Sequence, residues 1–362
     1  MDACPGVIEL HQAADGGLAR VRIPGGRVSS AQWAELISVS SELGDGALDL
    51  TSRGNIQIRG IPAGQESALS ARLWRAGLVP SWTHERARNI VASPFNGLDD
   101  LGEAPIDHLV AMVDEALCAT PALTQLSGRF LFGIDDGRGD IVALEPDLCL
   151  VAVKPDQFRL LVDGLSWGRA MKATEAVSRM MIRAERFLRE RDRSGTHAWR
   201  LRDLGPRSSQ RVTFSEPAGE PSLPFIGTLG SAVVAGAPLG RLSADQARAL
   251  HEVLATALIV TPDRTIVLLD CQAGPDRASA RLASADLIVT ADDPRRGVTS
   301  CTGRPGCARS IRDVRQDAAM TSRADMGWAA LPVHWVGCER RCGSPAVPHI
   351  EVLATEIGYR VS

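Results

Sequence analysis

Lysine is almost missing from this chain: of 40 basic residues only Lys154 and Lys172 are lysines, and the rest are arginines. The imbalance has two readings. One is codon bias in a GC-rich genome; the other is a demand for forked guanidinium groups, which grip carboxylates through two bonds at once. Composition does not choose between them. A net charge of −3 excludes a general attraction to nucleic acid or acidic membrane. The opening stretch MDACPGVIELHQAADGG has neither a basic start nor an apolar run, so no secretory signal is expected. No eighteen-residue apolar run occurs, so no spanning helix is expected either, and the expected location is the cytoplasm. Eight cysteines in 362 residues are too few for a disulfide scaffold. No G-x-G-x-x-G follows a strand-like run, so the chain shows no nicotinamide site of its own. What remains is an ordinary globular composition, 44% hydrophobic and 23% charged, long enough for one large or two to three ordinary domains.

An internal echo organises the chain. GRVSSAQWAEL (Gly26 to Leu36) matches GRLSADQARAL (Gly240 to Leu250), and each reads as a helix capped by Ser29 or Ser243. Each is followed by a strand-like run opened by threonine: TSRGNIQIRGI from Thr51 and TPDRTIVLLDC from Thr261. Ile56, Ile58 and Ile61 alternate with Gln57 and Arg59, giving one apolar and one polar face. Further on, ARNIVASP (Ala87 to Pro94) matches RRGVTSCTG (Arg295 to Gly303). The copies lie about 210 residues apart, too far for a solenoid. Three echoes in one order point to duplication of a two-part unit rather than chance. Between the halves, Ala173 to Arg193 reads as a helix with a stripe through Val177, Met180, Met181 and Phe187, and Gly205 to Pro224 as a polar linker.

Four cysteines cluster near the C-terminus. Cys301 and Cys307 form C-x5-C, and Cys338 and Cys342 form C-x3-C. Zinc sites space paired ligands by two to four residues, so the first pair is loose for zinc. Four thiolates suit a [4Fe–4S] cube, although the spacing is not the C-x2-C-x2-C run of bacterial ferredoxins. Zinc and no metal remain the other readings. Gly303, Gly306, Gly337 and Gly343 let the backbone wrap closely and aim N–H groups at sulfur.

C-x5-C, a long gap and C-x3-C resemble the cluster signature of siroheme-dependent nitrite and sulfite reductases and their relatives. RIPGG (Arg22 to Gly26), LTSRGNIQIRGI and ARNIVASP are similar to that family's R-L-P-G-G segment, T-x-R-x-x-x-Q strand and R-N-x-x-x-S-P loop. The resemblance covers most of the chain. It implies an α+β fold: duplicated ferredoxin-like half-domains plus two mixed α/β nitrite/sulfite-reductase-type segments, related by pseudo-twofold symmetry. The implied boundaries are 15–80 and 225–290 for the ferredoxin-like halves, 85–203 and 293–357 for the α/β segments, and 204–224 for the linker. It also implies a tetrapyrrole rich in carboxylates. Arg53, Asn55, Gln57 and Arg59 are then expected to bind it, and Arg22, Arg88 and Arg129 to act catalytically. The alternative for the strand residues is an exposed polar face with surface arginines.

One departure matters. The reductases resemble one another in a basic K-x-K pair; here Arg129 falls at one of those positions and Leu131 at the other. A leucine neither donates a proton nor binds an oxyanion. The sister family of precorrin-3B synthases, from aerobic cobalamin synthesis, fits better, and FGIDDGRGDI resembles its sequences. That resemblance implies a monooxygenase, with precorrin-3A hydroxylated at C20 by O2 and a γ-lactone closed from the ring A acetate. Electrons would come formally from NADH through a partner. It implies a [4Fe–4S] cluster, a possible mononuclear non-haem iron, and siroheme only if the chain is instead a reductase. His84 and His334 are the nearest candidates for iron ligands. Asp135, Asp136 and Asp140 are either acids or a tight turn, the turn being favoured by Gly133, Gly137 and Gly139. The other readings are a siroheme-bearing sulfite or nitrite reductase, and a non-catalytic electron-transfer or tetrapyrrole-binding module.

Overall fold

The computed structural model describes residues 4–205, 223–321, 331–345 and 347–362. The linker expected over 204–224 lies almost wholly outside the described residues. The chain forms two compact units. One comprises Met1–Pro5, Arg22–Gly26 and Val79–Gly219; the other comprises Gly6–Val21, Arg27–Leu78 and Glu220–Ser362. The two ferredoxin-like halves and the cysteine segment thus share the second unit.

Within that unit the duplication is visible as a reciprocal exchange. One five-stranded sheet runs His11–Ala13, Gly16–Val21, Ile56–Ile61, Leu48–Leu50 and Arg241–Leu242. Its counterpart runs Gly227–Leu229, Ala232–Gly236, Thr265–Leu268, Ala257–Val260 and Arg27–Ser29. Each sheet therefore ends on a short strand lent by the other repeat, with Leu242 opposite Leu48 and Val28 opposite Leu258. Immediately after each lent strand comes a helix, Ser30–Leu43 or Ala244–Val253. Ser29 and Gln32 close a reciprocal capping box on the first, and Ser243 and Gln246 on the second. The buried Trp33 indole donates to the carbonyl of Ala247 at 3.0 Å and ties the helices together.

The same unit holds a smaller sheet. Val298–Ser300, Val333–Val336 and Ile350–Thr355 run parallel, and Gly358–Val361 closes the edge antiparallel. One face packs Val298, Val333, Trp335 and Val352 with Val314 and Ala318 of the helix Val314–Ala319.

The first unit repeats that topology. Ile90–Ala92, Phe132–Asp135 and Leu148–Lys154 are parallel, followed by antiparallel Gln157–Val162 and Leu165–Ser166. The helices Asp107–Cys118 and Ala173–Ser194 cover one face, with Val177, Met180, Met181 and Phe187 all buried against Phe130, Phe132 and Phe158. On the other face Val91, Leu131, Ile141, Cys149, Val151 and Leu161 form a second apolar cluster. Among the described residues no helix is long and apolar enough to cross a membrane.

Candidate functional site

Cys301 follows directly on Val298–Ser300, and Cys338 and Cys342 follow its parallel neighbour Val333–Val336. The carboxyl ends of parallel strands are where open α/β sheets place ligands. The Cys301 N–H donates to the Trp335 carbonyl at 2.8 Å, and the Gly337 N–H donates to the Cys301 sulfur at 3.2 Å. That approach needs glycine, because a Cβ at 337 would overlap Ser310 Oγ. Burial pushes the Cys301 thiol up, Gly337 and Gly303 pull it down, and Cys342 and Cys307 add to the rise. Cys342 is an exposed residue with a thiol turned inward, so desolvation raises it too; Arg340 and Arg20 oppose that, and Cys338 and Cys307 reinforce it. The four sulfurs are thus within electrostatic reach of one another.

Among the described residues, the only three or more potential ligands with donor atoms all within 4.8 Å of one another are Asp135, Asp136 and Asp140. No three of the sulfurs are that close. One tetrahedral zinc, with Zn–S bonds of about 2.3 Å, draws its sulfurs to about 3.8 Å apart. A four-iron cube with one thiolate per corner needs a wider cage. The all-thiol donor set fits a four-iron cube with one thiolate per corner.

A wall of polar residues braces the first cysteine loop. Arg59 donates to both oxygens of Asp15 at 2.9 Å and to the Gly306 carbonyl at 3.0 Å. It is therefore tied to this chain rather than held open toward a ligand. Gln57 is half-buried and lies opposite Arg20 in the register, which puts the two side chains on one face. Arg20 escaped the sequence analysis. It stands two residues before Arg22, but its nearness to Cys342 depends on strand pairing that no local pattern shows. Arg53 is half-buried, and Asn55 is buried at the end of a turn closed by Thr51. On the next strand Asp49 accepts from Arg241 and from Arg315, which lies in the helix between the cysteine pairs.

In the first unit, Arg22 is 3% exposed; it donates to the Pro5 carbonyl at 3.1 Å and approaches Glu85 at 4.0 Å. Arg88 forms a two-bond pair with Asp114, both at 2.7 Å. Arg129 is exposed and lies over the Trp199 ring at 4.1 Å. Leu131 is 2% exposed and packs within the smaller apolar cluster.

Neither candidate iron histidine has a free nitrogen. His84 Nδ1 meets Ser81 and Thr83, and its Nε2 meets the Thr120 carbonyl at 3.0 Å. His334 lies between Thr299 Oγ1 and the Cys342 carbonyl. Burial and the Arg264 charge bring its pKa down to about 3, so it is neutral. Arg264, itself buried, is brought down to about 10 and stays charged. Beside Cys338 an open pocket of about 550 Å³ is lined by Arg309, Ile311, Arg340 and Glu356.

The model of the nitrite/sulfite reductase ferredoxin-like half domain matches residues 11–75. A precorrin-3B synthase from Sinorhizobium sp is 24% identical over 383 residues, covering 99% of this chain and 81% of that protein. A ferredoxin–nitrite reductase from Synechococcus elongatus is 25% identical, covering 94% and 76%. The structure of the Mycobacterium tuberculosis NirA protein aligns with a TM-score of 0.67 at 17% identity, covering 95% of this chain and 74% of that one. Over residues 11–75 the chain is similar to the nitrite/sulfite reductase ferredoxin-like half domain, and along most of its length to a precorrin-3B synthase and to ferredoxin–nitrite reductases.

The first unit holds a counterpart of the cysteine site with no thiol. Ser93 stands where Cys301 does: its N–H donates to Ile134 as that of Cys301 does to Trp335, and its Oγ accepts the Asp136 N–H as the Cys301 sulfur accepts that of Gly337. The space is closed by ion pairs of Arg138 with Asp136 and Asp99. Asp135 accepts the N–H groups of Gly137, Gly139, Ile141 and Val142. The three aspartates therefore build a turn, as the glycines suggested. Burial, then Asp135, pushes Asp140 up to about 7, against Ser93 and Arg138, which lower it. A carboxyl raised on folding stabilises fully below its unfolded pKa near 4 and loses that contribution as pH rises through about 7. Stability measured by urea unfolding should fall by about 1.4 kcal/mol per pH unit across that window, and Asp140→Asn should flatten the slope. An unchanged slope would remove Asp140 as its source.

Proposed function

We propose that the chain is a precorrin-3B synthase, hydroxylating precorrin-3A at C20 with dioxygen and closing the γ-lactone in cobalamin synthesis. The observation that carries this over nitrite or sulfite reduction is position 131. Where the reductases resemble one another in a second lysine, this chain has Leu131, which offers an oxyanion neither charge nor proton. Similarity to a precorrin-3B synthase along 99% of the chain supports the same choice. The nitrite reductase relatives support the alternative of a siroheme-dependent reductase.

Cys301, Cys307, Cys338 and Cys342 would hold the cluster. When bound, a [4Fe–4S] cluster supplies electrons one at a time from an external donor, here NADH through a partner protein. Arg129, exposed and steadied on Trp199, is suited to a substrate carboxylate, as are Arg53 and Gln57 from the strand. Asn55 would add an amide at the head of that strand. Arg22 and Arg88, buried and paired, would shape the catalytic wall, and Arg59 would hold the cluster loop in place.

The test is an optical spectrum of anaerobically purified protein beside an acid–acetone extract. Broad brown absorbance without extractable siroheme is the expected result, together with oxygen-dependent conversion of precorrin-3A. Isobacteriochlorin bands in the extract would replace this function with the reductase.

A further inference from the structure

The two repeats part company at position 264. In the turn Thr51 to Asn55 the fourth residue is Gly54, with φ 66°; in the matching turn Thr261 to Thr265 it is Arg264, with φ 58°. Both turns are otherwise closed alike, by the threonine N–H on the last carbonyl and the last N–H on the threonine hydroxyl. Left-handed backbone suits glycine and disfavours any side chain, and such residues gather at functional sites. The Arg264 side chain does something specific there. It is 7% exposed, and its Nη2 donates to the Gly343 carbonyl. Asp263 and Asp49 are near enough to be felt, but among the described residues neither forms an ion pair with it. It is a buried cation with no carboxylate in contact, directly behind a cluster cysteine.

His334 supports the same peptide from the other side. Its Nε2 lies 3.1 Å from the Cys342 carbonyl and its Nδ1 lies 2.8 Å from Thr299 Oγ1. A carbonyl only accepts, so Nε2 carries the proton and Nδ1 takes the hydroxyl's. Gly343 completes the cradle: it has φ 85°, and a Cβ there would lie 3.1 Å from Arg264 Nη2 and 3.6 Å from the His334 ring.

We propose that Arg264 and His334 are positioning residues for the iron–sulfur site. They hold the Cys342–Gly343 peptide from behind, and Arg264 is the buried counter-charge to the anionic cluster. The proposal rests on reading the four cysteines as a [4Fe–4S] site. A fixed cation beside such a cluster favours its more negative, reduced form.

The experiment uses the full chain with its cluster loaded. Arg264→Gly gives the turn the residue its repeat already uses, so the variant keeps its fold while losing the charge; Arg264→Lys keeps the charge. In an EPR-monitored redox titration Arg264→Gly is expected to be reduced about tenfold less readily, ~59 mV lower for one electron, and Arg264→Lys to stay near the wild type. His334→Leu is expected to release iron to a chelator about 10–100-fold faster. His334→Gln, with an amide N–H that reaches the same carbonyl, should restore retention. An unchanged potential in Arg264→Gly overturns the counter-charge role. Equal iron release by His334→Leu and the wild type, or by His334→Leu and His334→Gln, overturns the positioning role. A wild-type protein that binds no iron and sulfide overturns the cysteine assignment itself, and this proposal with it.

Discussion

Cys342→Ser protein is expected to purify folded and colourless, with activity below detection. Two facts set those expectations apart. The fold does not lean on Cys342: the residue is exposed, in the loop after Val333–Val336, and the apolar cluster of that sheet is built from Val298, Val314, Val333, Trp335 and Val352. Substitutions outside a core usually stay within about 0.5 kcal/mol, so circular dichroism and thermal unfolding of the metal-free protein should match the wild type. The [4Fe–4S] cluster proposed for these cysteines, by contrast, would depend on all four corners, because each iron takes one thiolate. Iron and acid-labile sulfide should therefore fall together with the brown absorbance. The Cys301 and Cys342 thiols are raised by burial and by neighbouring cysteines, so without metal these two stay protonated, and loading must release their protons. A Cys342→Ser protein with a full complement of iron and sulfide and normal activity would remove Cys342 from the ligand set.

Leu131→Lys is expected to destabilise the first unit severely and to create no oxyanion site. The new ammonium would stand among Val91, Ile141, Cys149, Val151 and Leu161. Burial of a lysine in apolar surroundings lowers its pKa by up to about 3–5 units, or about 4–7 kcal/mol at 1.36 kcal/mol per unit. Against a total stability of about 5–15 kcal/mol for an ordinary protein, that is enough to unfold much of the population. Asp147 gives little relief. It already accepts the Leu131 N–H at 2.9 Å and pairs with Arg200 at 2.9 Å. Leu131→Met, which conserves volume, should lose less than about 1.5 kcal/mol. Urea unfolding followed by tryptophan fluorescence separates the two. Wild-type stability in Leu131→Lys, accompanied by nitrite binding, would mean that position 131 opens onto a ligand pocket and is not held by the apolar cluster.

The sequence by itself determined what depends on neighbours along the chain. Ser29 and Ser243 cap their helices because the glutamine that completes each box is three residues away. The aspartates after Phe132–Asp135 make a turn because Gly137 and Gly139 allow the positive φ that lets Asp135 collect four N–H groups. The cysteine pairs announced themselves by spacing. Alternation also identified the polar face of Ile56–Ile61, yet it could not say what covers that face. Only the tertiary structure decided that Arg59 is held by Asp15 and Gly306, that Arg88 is closed by Asp114, and that Arg20, from a distant strand, joins Arg340 in acting on Cys342. It alone showed the exchange of Arg27–Ser29 and Arg241–Leu242 between repeats. Leu131 was the sharpest case, since its type fitted an apolar pocket and a core equally well. The physical reason is common to all of these. Spacing fixes the direction of a side chain, whereas its charge state, freedom and partner are set by residues that pack against it from distant parts of the chain.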